Sequence, residues 1–150
     1  MRHAALVLLA ACGSADGLEI GGDLQFVVGT ETITPTVGAA IPDRDPAKLL
    51  VVIGTRDISC STNLESPLRK GTYVTMVIDP AAGAQPEAMV TVIRVESSGT
   101  LFNGDLSEVT IDSVGDRLTG SLSFTTQDQT DEVITELSAI GSFDVANCAP

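Results

Sequence analysis

Leu118-Thr119-Gly120-Ser121-Leu122-Ser123-Phe124-Thr125 decides the fold. Leu118, Leu122 and Phe124 fall on one side of an extended chain; Thr119, Ser121, Ser123 and Thr125 fall on the other. That period of two marks a strand with one buried and one wet face. Just upstream, residues 107–114 set Val109 and Ile111 on one face, and Gly115-Asp116 turns the chain. Residues 107–125 therefore read as an antiparallel hairpin.

The same grammar extends in both directions. Residues 24–28, 73–78 and 89–96 are Val- and Ile-rich runs that stop at turn residues, and residues 140–145 form a final strand with Phe143 and Val145 inward. Leu49-Leu50-Val51-Val52-Ile53 is apolar on both sides, which suits a strand covered on both faces. Residues 32–41 are rich in Thr, Pro and Gly, and Pro35 argues for an edge segment. Loops are expected at 42–46, at 56–69 around Cys60, at 81–87 and at 127–132. Turns are expected at Ser97-Ser98-Gly99-Thr100 and at Asn103-Gly104. Residues 133–137 are ambiguous: Val133, Ile134 and Leu137 fit one helical face, with Asp131 as an N-cap, and the same residues also fit a strand. No repeat, heptad or βαβ alternation is present, so no parallel sheet is expected. The expected fold is all-β, an antiparallel β-sandwich of about seven or eight strands, with a small closed β-barrel as the alternative.

The chain opens Met1-Arg2-His3, then Ala4-Ala5-Leu6-Val7-Leu8-Leu9-Ala10-Ala11-Cys12. A positive charge precedes a short apolar run that ends in small residues, the anatomy of a secretory signal peptide. The run is far shorter than the roughly 20 residues that span a bilayer. Leu9-Ala10-Ala11-Cys12 resembles the lipobox of bacterial exported lipoproteins. The resemblance covers residues 1–12 and implies that residues 1–11 are removed and that Cys12 becomes a lipid-carrying N-terminus. Residues 12–22, beginning Cys12-Gly13-Ser14-Ala15-Asp16-Gly17, then form the lipidated Cys and a short flexible tether, followed by a single β domain over 23–150. Gly13, standing where an Asp marks inner-membrane retention in enteric bacteria, points to the outer membrane in an organism that has one. Two or more acyl chains, at about 0.8 kcal/mol per buried methylene, hold a protein firmly on a leaflet.

Composition narrows the function. The chain has 20 acidic and 8 basic residues and a net charge of −12, and loss of the signal makes it one unit more negative. Such a surface repels nucleic acid and anionic lipid headgroups, and favours cations or basic partners. With four Phe, one Tyr (Tyr73) and no Trp, the core is aliphatic and sugar-stacking faces are scarce. Of three cysteines, Cys12 is assigned to lipid, which leaves Cys60 and Cys148 to pair in an oxidising compartment. Closing so long a loop stabilises by roughly 4 to 5 kcal/mol in the chain-entropy model.

The only histidine, His3, lies in the signal. The mature chain therefore lacks Ser-His-Asp and Cys-His catalysis and His-based metal sites. Ser66 and Lys70 miss the Ser-x-x-Lys spacing, and no Gly-rich phosphate loop is present. No catalytic residue and no cofactor are expected. Asp128, Asp131 and Glu132 put three carboxylates in one loop, a weak calcium candidate, and Asp43 and Asp45 flank another; neither matches an EF-hand. The expected function is a non-catalytic, membrane-anchored cell-envelope module with an envelope protein as partner. Two alternatives are a small-molecule carrier with an apolar pocket and a carboxylate-based hydrolase.

Overall fold

The computed structural model describes residues 18–62, 70–95, 99–103, 106–130 and 133–150. It is all-β, with no α-helix among the described residues. The strands are β1 (Gln25–Val28), β2 (Glu31–Ile33), β3 (Val37–Pro42), β4 (Leu49–Gly54), β5 (Gly71–Ile78), β6 (Gly83–Ala84), β7 (Met89–Val95), β8 (Gly99–Asn103), β9 (Leu106–Val114), β10 (Arg117–Thr130) and β11 (Val133–Asn147). They form one continuous sheet in the order β6-β9-β10-β11-β3-β4-β5-β7-β8, with the β1–β2 hairpin added beside β11.

The sheet curls on itself because β11 belongs to two arms. Its middle pairs with β1 at residues 137–140, and its end meets β3 through Ala146↔Ala39 and Asn147↔Ala40. Between these lies Gly141, whose φ of +137° favours glycine and whose missing Cβ would sit 2.7 Å from the Leu24 Cα. Side chains from both arms meet in one core: Phe26, Val51, Ile53, Met76, Ile78, Val92, Ile111, Leu118, Leu122, Phe124, Leu137 and Phe143 are all buried there. Fully burying a side chain of this size contributes about 1.5–3 kcal/mol.

The hairpin read from the sequence is present in register. Leu122 faces Val109 across β9 and β10, the inward residues Leu118, Leu122 and Phe124 are buried, and Ser121, Ser123 and Thr125 are exposed. A register shift between Thr119 and Gly120 marks a bulge. A Cβ at Gly120 would lie 2.4 Å from the Thr110 carbonyl oxygen, so the two strands approach closely at that point. β4 is covered on both faces, as its composition implies. Val51 and Ile53 face the main core, and Val52 faces a second cluster with Ala39, Ile41, Ile58 and Tyr73.

Several local expectations are corrected. Residues 37–42 form a central strand, not an edge segment; Pro35 lies before its start, and the small Ala39 and Ala40 are wholly buried between neighbours. The β11–β3 pairing is parallel, over two residue pairs only. Residues 127–130 extend β10 rather than looping, and residues 133–137 are strand, paired from Thr130↔Val133 through Thr126↔Leu137. Cross-strand pairing therefore overrides the helical spacing of Val133, Ile134 and Leu137. β8 pairs with β7 while β9 pairs with β10, so the chain at Asn103 passes between arms rather than closing a hairpin; Gly104 lies outside the described residues. The 81–87 loop contains the short β6. Gln85 staples this loop: its side chain accepts from Asp79 N–H (2.9 Å) and donates to the Ala81 carbonyl (2.9 Å).

Candidate functional site

Residues 18–22 lie against the sheet. Glu19 bridges Val37 and Gly21 bridges Asp144, both antiparallel. Arg117 holds this entry segment by donating to the Glu19 carbonyl (3.0 Å), to the Asp144 carbonyl (2.8 Å) and to the Asp144 carboxylate. Asp23 is tied to Ser142, whose backbone N–H (2.6 Å) and hydroxyl (2.7 Å) both donate to its carboxylate. Those donors, the backbone N–H foremost, hold the Asp23 carboxyl below its ordinary value of 3.8. Cys12 lies outside the described residues.

Cys60 and Cys148 form a disulfide across 88 residues of chain, with Cα atoms 5.4 Å apart. Cys148 N–H also donates to the Ala40 carbonyl (2.8 Å), laying the C-terminal segment beside β3. The bridge straps the loop after β4 and the C-terminus over the second apolar cluster, against which Leu18 and Cys148 pack. Tyr73, the one tyrosine, is wholly buried in that cluster and offers no surface for sugar stacking.

Asp128 sits in β10 opposite Thr135, while Asp131 and Glu132 lie outside the described residues. Asp43 and Asp45 cap local backbone instead: Asp45 N–H donates to Asp43 (3.3 Å) and Ala47 N–H to Asp45 (2.9 Å). Among the described residues, no group of three His, Cys, Asp or Glu side chains is placed to hold a metal ion. Lys48 Nζ lies 2.7 Å from Asp79, which raises the lysine pKa above its ordinary value.

Three surface features remain. The β10–β11 hairpin runs on past its neighbours: β9 ends its pairing at Thr125, and β1 at Leu137. Beyond those points residues 127–130 and 133–136 pair with one another, and Gly29 N–H adds one bond to the Glu136 carbonyl (2.8 Å). Near the end of this ribbon Val133 and Ile134 are 63% and 61% exposed. On the outer face of β3, β4, β5 and β7 a groove of about 530 Å³ is lined by Ile41, Leu50, Val77 and the exposed Met89, with Asp43 and Arg44 at its rim. At the opposite end of the same strands a groove of about 510 Å³ gathers Arg56, Lys70 and Arg94 around Glu31. These three cations lie far apart in sequence, and no motif in the chain announces their meeting.

Against known protein families, characterised proteins and solved structures, this chain finds no match. Its function is therefore argued from the molecule's own geometry.

Proposed function

We propose that the chain is a lipid-anchored, non-catalytic module of the bacterial cell envelope, held at Cys12 and presenting the β10–β11 ribbon to a partner protein. The observation that carries this reading is the spacing along β11. The entry segment from Cys12 joins β11 at Asp144, through Gly21. Val133 begins the same strand, about 35 Å away at an extended strand's rise per residue. A ribbon set that far from its tether, tipped by exposed Val133 and Ile134, suits contact beyond the lipid surface. The two large grooves among the described residues lie on outer faces and rims, which favours a binding module over a carrier. The mature chain's lack of histidine removes imidazole-based catalysis from the available chemistries.

Expression of the full chain in a bacterium with two membranes tests the anchor. Intact mass spectrometry is expected to find an N-terminal Cys12 carrying acyl chains, and fractionation to find the protein with the membranes. Cys12→Ser is expected to leave the product unacylated and move it to the soluble fraction. An unacylated wild-type Cys12 overturns the reading.

A further inference from the structure

We propose that the groove at the ends of β4, β5 and β7 is an anion site that takes a phosphate group. Arg56, Lys70 and Arg94 line it, against the single carboxylate of Glu31. This is a local excess of positive charge in a chain of 20 acidic and 8 basic residues. Three separate segments bring the cations together. Arg94 of β7 stands opposite Thr72 of β5. Thr72 is tied to Thr55 twice: Thr55 N–H donates to the Thr72 carbonyl (3.2 Å), and Thr72 N–H donates to Thr55 Oγ1 (3.2 Å). Arg56 follows Thr55 and Lys70 precedes Gly71, so both flank this tie.

Arg56 and Lys70 differ from Lys48 and Arg117 in their partners. Lys48 lies against Asp79, and Arg117 is hydrogen-bonded to Asp144. In the groove, Arg94 lies 3.8 Å from Glu31. Arg56 and Lys70 have no carboxylate partner among the described residues. Two guanidinium forks and an ammonium around one opening match the oxygens of a phosphate, which also relieves their mutual repulsion. Gly71 packs tightly against Thr55, since a Cβ there would lie 2.7 Å from Thr55 Oγ1.

The phosphate has two possible sources, a free phosphate compound and a lipid headgroup. The second rests on the anchoring reading above and gains from position: Ile20 N–H of the entry segment donates to the Thr36 carbonyl (3.4 Å), and Thr36 Oγ1 donates to the carbonyl of groove residue Thr55 (3.3 Å). The tether thus enters beside the groove, where a headgroup on the anchoring leaflet is within reach.

Titrating the full-length Cys12→Ser chain with inorganic phosphate, followed by amide chemical shifts, tests the site without any acyl anchor. Saturable shifts at Thr55, Gly71 and Thr72 are expected, weakening with added salt. The Arg56→Gln/Lys70→Gln double variant is expected to bind about tenfold more weakly with an unchanged melting temperature, and Glu31→Gln to bind a few-fold more tightly. Sedimentation of the same proteins with phosphatidylcholine vesicles, with and without phosphatidylglycerol, separates the sources. Vesicle binding that needs phosphatidylglycerol and both cations assigns the site to lipid; a phosphate response alone assigns it to a free compound. No saturable response to either probe, or equal responses in the double variant, overturns the proposal, whatever the acylation state of Cys12.

Discussion

One hairpin lives in two environments. From Leu118 to Phe124 the inward side of β10 is buried, because β9 flanks it and the far arm covers it. Past Thr125 the same pair of strands keeps its register, while among the described residues β9 no longer pairs with β10 and β1 stops pairing at Leu137, and Val133 and Ile134 are largely exposed. Strand pairing alone therefore does not bury side chains; neighbours on both edges and a facing layer do. An isolated two-stranded ribbon is marginal in water. This one persists as the continuation of a hairpin anchored in the core.

The contrast can be broken at the core end first. Phe124→Ala is expected to cost about 3–5 kcal/mol in denaturant unfolding, since the wholly buried ring leaves a cavity. A loss under 1 kcal/mol would mean that the two arms do not close on it. Next comes the strap: Cys60→Ala/Cys148→Ala is expected to cost about 2–4 kcal/mol and to speed proteolysis of the C-terminal segment, read by thermal melting with limited digestion. At the ribbon, Val133→Ser/Ile134→Ser is expected to stay within about 0.5 kcal/mol of wild type. A large loss there would show that the ribbon packs on something other than solvent.

The smallest effect lies at the entry segment. Asp23 has a folded pKa below its ordinary value, so the stability it contributes is present above about pH 4 and fades as pH falls through the lowered value. Asp23→Asn should therefore lower the melting temperature slightly at neutral pH and flatten its fall at acid pH. Parallel acid-unfolding curves for the two proteins would refute that role.

Where the pattern was local, it could be read directly. The alternation of residues 118–125, the double-sided apolar run at 49–53 and the inward Phe143 and Val145 each state their own burial, because side chains alternate across a strand with period two. The pairing of Cys60 with Cys148 was legible by elimination once Cys12 was set aside. Residues 37–42 and 133–137 were not legible. Gly38, Ala39 and Ala40 carry little apolar bulk, yet they fill the narrow space beside Val145 and Ile53. The apolar spacing of residues 133–137 fits helix and strand alike until β10 supplies a partner. The cationic groove was equally hidden, because register, not sequence distance, brings Arg56, Lys70 and Arg94 to one rim.

By itself, the order of residues determined an all-β chain, an acidic composition and a single histidine, His3, outside every β run. These follow from composition and from periodicities that each segment carries alone. Tertiary structure decided that β11 serves both arms, that a two-residue parallel contact joins them, and that charge gathers at one groove while the ends of β10 and β11 run on past the pairing of β9 and β1. Those outcomes depend on which distant segments become neighbours, and burial, pairing and electrostatic excess are properties of neighbours.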